Sequence, residues 1–261
     1  MNPSPISFVK KPKPPLNRPG VSDEFLATGD VYRVDATEAK HLCGLAEPGI
    51  WIPYRTISGK PVATDTLHGY GRLRLTYPRE DRKYHQRAGS KPYAYLPHTL
   101  NLYSTSTDVV VVEGEFKAAS LAEAGIAAVG IGGITSAFSD DGQFVPGLRE
   151  AIQAPIPKLN RVLFLGDGDT SLIFAFSREA VKIAKKLPDV QVILPRIGLD
   201  GPAKGIDDVR ADRGEAFPSY WANLVATAEP VSRDDTAEQL ALRLLLRESP
   251  NAIRAAAGFT P

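Results

Sequence analysis

Between residues 108 and 195, short apolar runs alternate with longer segments in which apolar residues recur every three or four positions. The apolar runs are DVVVVE (108–113), IAAVGIGG (126–133), RVLFLG (161–166) and VQVILP (190–195). The segments with helical spacing are FKAASLAEAG (116–125) and TSLIFAFSREAVKIAKKL (170–187). Runs rich in β-branched residues are typical of parallel strands that are buried on both faces. The alternation therefore predicts an α/β fold, with a parallel sheet flanked by helices.

The sequence before this region has a different pattern. GIWIPYRTISGKPVATDTL (49–67) alternates apolar and polar residues around SGK, which predicts a β-hairpin, and GRLRLTY (71–77) alternates as well. The segment 21–48 has the spacing of one or two short helices. Together these patterns predict a smaller, mixed and β-rich subdomain over residues 21–106, followed by the α/β domain over 107–217.

The two ends of the chain differ from both regions. Residues 1–20 hold six prolines and several cations but few core-forming residues, which predicts a flexible arm. Residues 218–261 predict a helical tail whose amphipathic pattern is interrupted at Pro250. Such a tail can pack on the sheet or dock a partner, and we expect packing.

Composition narrows the classes of function. Lys and Arg number 31 against 30 Asp and Glu, so net charge alone points to no polyanionic partner. The one cysteine, Cys43, excludes an internal disulfide or a thiolate zinc site and is expected to be a small buried hydrophobe. No apolar stretch reaches the roughly 18 residues that span a bilayer, and no apolar signal core is seen. We expect a cytoplasmic protein with no membrane partner.

Acidic residues follow three of the predicted strands. Glu113 ends DVVVVE, Asp167 and Asp169 follow RVLFL, and Asp207 comes shortly after VQVILP. Because the carboxyl ends of parallel strands share one edge of a sheet, these carboxylates are expected to converge. Clustered carboxylates repel one another unless a cation lies between them, and Mg²⁺ prefers hard oxygen ligands. The pattern predicts a magnesium site; aspartates that only cap a helix starting near Thr170 are the alternative.

The order of these acidic residues resembles the TOPRIM domain of bacterial and phage primases, topoisomerases and some nucleases. VVVVEGEFKAASLAEAG (109–125) is similar to the family's first strand and its glutamate, and FLGDGDT (164–170) is similar to its D-x-D strand. LPR and KGIDD, within 194–208, look like the element that follows the last strand in phage primase-helicases. The resemblance covers roughly residues 107–212 and implies a TOPRIM-type sheet.

The resemblance also implies roles for individual residues. The catalytic residues that it implies are Glu113, Asp167 and Asp169. The same three residues, with Asp207, would hold two Mg²⁺ or Mn²⁺ ions, and Glu113 would be either a ligand or a general base. Lys204 would neutralise phosphate charge. Lys117 stands where the family often has an aspartate, so one carboxylate is missing, and we assign Lys117 to nucleotide or nucleic-acid binding.

The segment ahead of the α/β region extends the resemblance. GIWIPYRTISGK (49–60) and GRLRLTYPREDRKYHQRAGSKPYAYLP (71–97) are similar to the region that precedes the TOPRIM fold in primases, and most of all in plasmid and phage replication proteins. The implied activity is that of a DNA primase, a nucleotidyltransferase that makes short RNA primers on single-stranded DNA. The implied partners are the template, nucleoside triphosphates and a replicative helicase. The zinc ribbon of replicative primases is missing, as the single cysteine requires.

Basic and aromatic residues are interleaved in the predicted β-rich subdomain. The members that we assign to nucleotide or nucleic-acid binding are Arg72, Arg74, Lys83, Tyr84, Arg87 and Lys91. Cations that contact phosphates and aromatic faces that stack on bases are what single-strand binding requires. The alternative is an ordinary solvated face of a sheet, since alternating strands expose charges in any case.

Two other functions use the same features. A TOPRIM nuclease would use the acidic cluster to hydrolyse a phosphodiester, although the primase-like segment before it argues against this. A non-catalytic adaptor that binds nucleic acid or loads a helicase would need only the scaffold. Clustered carboxylates argue against the adaptor, because a scaffold gains nothing from their repulsion.

Overall fold

The computed structural model describes residues 15–64, 69–79, 82–98, 100–154, 159–201 and 204–258. The strands are β1 (Tyr32–Val34), β2 (Gly49–Pro53), β3 (Gly71–Arg79), β4 (Arg82–Gln86), β5 (Asp108–Glu113), β6 (Ala128–Ile131), β7 (Arg161–Leu165), β8 (Gln191–Leu194) and β9 (Glu229–Val231). They form a four-stranded antiparallel sheet in the order β1-β2-β3-β4 and a five-stranded sheet in the order β6-β5-β7-β8-β9.

Helices precede, connect and follow the strands of the two sheets. They are α1 (Asp23–Thr28), α2 (Ala36–Cys43), α3 (Leu100–Thr105), α4 (Glu115–Glu123), α5 (Leu148–Gln153), α6 (Phe174–Lys186), α7 (Ile206–Arg213), α8 (Phe217–Ala226), α9 (Ala237–Leu246) and α10 (Pro250–Ala256). Among the described residues, none of the helices combines the length and the apolar character that crossing a membrane requires.

The five-stranded sheet confirms the predicted α/β fold. Strands β6, β5, β7 and β8 are parallel, and β9 pairs antiparallel with β8 at the edge. The register sets Val112 beside Leu165 and Glu113 beside Ile131. Because the strands are parallel and in register, their carboxyl ends lie along one edge of the sheet.

The β-branched runs form strands because both faces of this sheet are covered. Val109 and Val111 point into one core with Phe164, whereas Val110 and Val112 point into a second core on the opposite face. All four valines are at most 1% exposed. Burial on both faces removes the polar alternation seen in half-exposed strands.

The antiparallel sheet packs against one face of the larger sheet and against α2. Ile50 and Ile52 of β2 belong to the same core as Val110, while Trp51 points the other way into a small core with Leu42 and Cys43. Cys43 is buried, as the sequence predicted. This packing fixes β3 and β4 next to the carboxyl edge of the parallel strands.

Several details differ from the sequence predictions. The hairpin around SGK is reduced to a bridge between Arg55 and Pro61, because β2 pairs with β3 instead. β4 and the three-residue strand β1 were not predicted. The predicted helix over 170–187 is a 3₁₀ turn over 170–172 followed by α6. The tail contains β9 as well as helices, since Val231 completes the edge beside β8.

The described residues nearest the two termini are joined to the rest of the fold. Residues 1–14 of the predicted arm lie outside the described residues, as do residues 259–261 of the tail. Leu16 is buried, and the carbonyl of Gly20 accepts hydrogen bonds from Ser120 Oγ (2.6 Å) and Arg210 Nη1 (2.6 Å). In the tail, Leu240 and Leu244 of α9 are buried in the core that α6 also lines. The tail therefore packs on the sheet.

Candidate active site

The carboxyl edge of the parallel strands carries the predicted acidic residues. Glu113 is the last residue of β5, and Asp167 and Asp169 follow the last residue of the neighbouring strand β7. Gly114 has a φ of 97°, which allows the chain to turn from β5 directly into α4. The turn leaves Glu113 at the rim and places the first turn of α4 beside it.

The loop after β7 is held tightly by its neighbours. The N–H of Gly168 donates to the carbonyl of Lys204 (2.8 Å), which ties this loop to the segment before α7. A Cβ atom at Gly168 would lie 2.8 Å from the carbonyl oxygen of Gly198. A glycine is thus required between the two aspartates because the backbone of Gly198 approaches it closely.

Two lysines contact the two aspartates. Lys117, in the first turn of α4, forms an ion pair with Asp167, and Lys204 Nζ lies 3.3 Å from Asp169 Oδ2. Asp169 precedes the 3₁₀ turn at Thr170, yet its side chain makes no capping hydrogen bond. Helix capping therefore does not account for the pair of aspartates.

Glu113 shares an electrostatic environment with both aspartates. Burial raises the pKa of Glu113, the charges of Asp167 and Asp169 raise it further, and Lys117 and Lys204 oppose the shift. These are the effects expected of carboxylates that lie close together. The structure brings Glu113 close to Asp167 and Asp169, which come more than fifty residues later in the sequence.

Asp207 lies at the same edge in the first turn of α7. It is 6% exposed, and its Oδ1 atom has no hydrogen-bond partner among the described residues. Burial raises the pKa of Asp207, and the charge of Lys117 opposes the shift. Gly205 makes room for this arrangement, because a Cβ there would lie 2.6 Å from Asp207 Oδ1 and 2.7 Å from Lys117 Cε.

A cavity of about 360 Å³ separates this acidic edge from the antiparallel sheet. Its acidic edge contributes Glu113, Glu115, Asp167, Asp207 and Asp208, with Lys117 and Lys204 beside them, and its basic wall consists of Arg18, Arg72, Arg74 and Lys83. Tyr84 and Phe116 supply aromatic surface. The cavity thus offers oxygen ligands on one wall and cations on the other.

The predicted basic residues divide into two groups. Those that line the cavity are Arg72, Arg74, Lys83 and Tyr84. Arg87 and Lys91 line other depressions on the antiparallel sheet and its following loop. The alternation of apolar and polar residues could not show which basic residues line the cavity, because this depends on which part of each strand faces α4.

Arg72 is already engaged in an ion pair. Its Nη1 donates to Glu115 Oε1 (2.8 Å), which also accepts from the Tyr54 hydroxyl (2.7 Å). Glu115 is only 2% exposed. Arg72 also lies over the ring of Tyr84, 4.6 Å from its centroid, and Arg74 donates to the Tyr84 hydroxyl (2.8 Å). Arg72 therefore joins β3 to α4, which positions the basic wall.

Arg18 is a cavity residue that the sequence did not indicate. Its guanidinium lies 4.6 Å from the centre of the Phe116 ring, and its Nε atom has no hydrogen-bond partner among the described residues. Burial and the charge of Arg74 lower the pKa of Arg18. The proline-rich context of Arg18 is typical of disorder, and its place in the cavity follows from its packing on Phe116.

The donor set suits a hard divalent cation such as Mg²⁺, which takes carboxylate oxygens and few protein ligands. Within the described ranges, however, no three acidic, histidine or cysteine side chains are gathered closely enough to hold an ion. Asp167 and Asp169 each have a lysine in contact. A divalent ion can therefore bind Asp169 only in competition with Lys204, and Asp167 only in competition with Lys117.

Comparisons with known proteins place this geometry in context. Residues 101–217 match a family described as a domain of unknown function (DUF3854). No curated protein matches the chain.

Solved structures of bacterial primases have a similar fold. The zinc-binding and RNA polymerase domains of the Aquifex aeolicus primase superpose with a TM-score of 0.57 at 15% identity, covering 91% of this chain and 62% of that one. The DnaG primase catalytic domain bound to single-stranded DNA gives 0.56 at 16% identity, covering 91% of this chain and 79% of that one. The chain therefore has the fold of bacterial primase domains and spans less than two thirds of the Aquifex aeolicus structure.

Proposed function

We propose that this chain is a DNA primase, which joins ribonucleotides into short RNA primers on single-stranded DNA. The observation that carries the proposal is the cavity whose acidic edge faces a wall of arginines. Transfer of a nucleotidyl group needs oxygen ligands for a divalent cation and cationic groups for the triphosphate. The likeness of the fold to primase domains supports the same function.

In this proposal, Glu113, Asp167 and Asp169 hold the divalent ion. When bound, a Mg²⁺ or Mn²⁺ ion would favour the deprotonated form of the attacking hydroxyl and offset negative charge on the reacting phosphate. Asp207 is buried deeper in the cavity, where its Oδ1 atom and Lys117 Cε both border Gly205. It supports the site through that lysine.

The basic wall would bind the triphosphate. Arg18 and Arg74 lie close enough that the charge of Arg74 lowers the pKa of Arg18, and an anion between them would relieve this repulsion. Lys204 is 70% exposed at its side chain, so it can leave Asp169 and contact a phosphate. Arg72 acts differently, because its ion pair with Glu115 keeps it as a support for the Tyr84 ring.

The template would lie along the antiparallel sheet. Tyr77 on β3 is 75% exposed and offers an aromatic face to an unpaired base. Arg87 lies at the opposite end of β3, next to Gly71, and Lys91 lies in the loop that follows; both are outside the cavity and suit backbone phosphates. Activity in plasmid or phage replication and a helicase partner belong to the proposal through the sequence resemblance alone.

The direct test is primer synthesis. Purified protein is incubated with single-stranded DNA, labelled ribonucleoside triphosphates and Mg²⁺ or Mn²⁺. We expect short, alkali-sensitive products that require both the template and the divalent ion and that disappear when EDTA is added. Shortened template without new product would instead indicate a nuclease. Binding of the DNA without either product would indicate an adaptor, and both outcomes would contradict the primase.

A further inference from the structure

The Lys117 ammonium group lies within the acidic cluster, where its ion-pair partner is Asp167. Its charge lowers the pKa values of Glu113 and Asp207 against the effect of burial. Lys117 thus forms an ion pair with Asp167, and its charge also acts on Glu113 and Asp207 without a direct contact. A cation placed among carboxylates removes the repulsion that would otherwise favour a bound metal ion.

The surroundings of Lys117 hold its side chain in place. The side chains of Lys117 and Asp167 are 19% and 18% exposed, and Lys117 Cε packs against Gly205, which has no Cβ. Asp207 Oδ1, which has no hydrogen-bond partner in the described structure, borders the same space at Gly205. The absence of a side chain at residue 205 leaves space for a lysine, and a lysine fills that space.

Lys204 differs from Lys117 in each of these respects. Its side chain is 70% exposed, and the Asp169 side chain that it contacts is 43% exposed. Exposed ion pairs are weak because water screens them and long side chains lose entropy when they are held. Asp169 is therefore available to an incoming ion, whereas Asp167 can offer only the carboxylate oxygen that Lys117 does not hold.

We propose that the Lys117 ammonium group permanently replaces one of the two divalent ions that the sequence predicts, so that each chain binds one ion on the Asp169 side of the cluster. This inference rests on the proposed function, and it specifies how that function is carried out. Lysine is a compact point charge and can offset phosphate charge as an ion would. Because the lysine is part of the chain, its charge is always present and does not have to be supplied by an ion from solution. The site therefore needs one metal ion fewer.

The test counts bound Mn²⁺ ions by the loss of the electron paramagnetic resonance signal of free Mn²⁺ during titration. We expect one ion per wild-type chain and two in Lys117→Met, which keeps the apolar stem and removes the charge. Lys117→Arg restores the charge and is expected to bind one ion. Lys204→Met is expected to bind one ion about ten-fold more tightly than wild type, because Asp169 loses its competing partner.

Lys182→Met is the matched control. Lys182 pairs with the buried Glu179 on α6, away from the cavity, so its loss also leaves a carboxylate without its lysine. We expect it to bind one ion. Circular dichroism verifies that each variant is folded, and Lys117→Gln replaces Lys117→Met if the latter does not fold.

Several outcomes would overturn the inference. These are two ions, or none, in the wild-type chain, a single ion in the charge-free Lys117 variants, and an extra ion in Lys182→Met. A chain that binds one ion by this measurement and yet makes no primers would refute the proposed function and leave the role of Lys117 intact.

Discussion

Asp169→Asn is expected to reduce primer synthesis by about 10³-fold, since loss of an oriented charge at a reacting centre costs several kcal/mol of transition-state stabilisation. Asparagine keeps the shape of the side chain but carries no charge for a divalent ion. Asp169 makes its ion pair with an exposed lysine and no capping hydrogen bond, so the free energy of unfolding should change by less than about 0.5 kcal/mol. Primer yield and urea denaturation measure the two effects.

Asp189→Asn is the control for this substitution. Asp189 is exposed and precedes β8, so it lies at the opposite edge of the parallel strands. The Asp189→Asn substitution removes the same charge as Asp169→Asn and should leave primer synthesis unchanged. If Asp169→Asn retains wild-type synthesis, or if Asp189→Asn loses as much, the acidic edge is not where the reaction occurs.

Glu115→Ala is expected to destabilise the fold by about 3–5 kcal/mol, the usual cost of removing one partner of a buried ion pair. Glu115 is 2% exposed and accepts from both Arg72 and Tyr54. Its loss leaves the Arg72 charge without a partner between the two sheets. The free energy of unfolding in urea measures the effect.

Glu47→Ala is the matched control for Glu115→Ala. Glu47 pairs with Arg79 of β3, whose side chain is 62% exposed, so the pair should contribute no more than about 1 kcal/mol. Replacing Glu115 and Arg72 together with methionine should recover part of the lost stability, because no unpaired charge remains. Equal losses in Glu115→Ala and Glu47→Ala would show that the buried pair does not hold the two sheets together.

The sequence indicated the acidic edge because two simple rules apply to it. A run such as DVVVVE can be buried on both faces only as a strand within a sheet, and parallel strands end at the same edge. The positions of Glu113 and Asp169 follow from these rules. The position of Asp207 does not follow from these rules alone, since it comes some distance after β8 and reaches the edge through the first turn of α7.

What the sequence could not indicate depends on contacts between distant side chains. Neither periodicity nor spacing shows that Lys117 meets Asp167 or that Arg72 pairs with Glu115. Arg18 belongs to a segment whose composition is typical of disorder, and only its packing on Phe116 brings it to the cavity. Similarly, β9 is too short and too polar to predict, and it forms because the edge of β8 needs a partner.

Iron-mediated cleavage tests most directly whether three distant segments surround one divalent ion. Fe²⁺ replaces Mg²⁺, ascorbate and hydrogen peroxide generate hydroxyl radicals at the bound ion, and mass spectrometry locates the cuts in the backbone. We predict cuts near Glu113, near Asp167 and Asp169, and between Lys204 and Asp207, all suppressed by excess Mg²⁺. Cuts confined to one of these segments, or scattered cuts that Mg²⁺ does not suppress, would contradict a shared metal site.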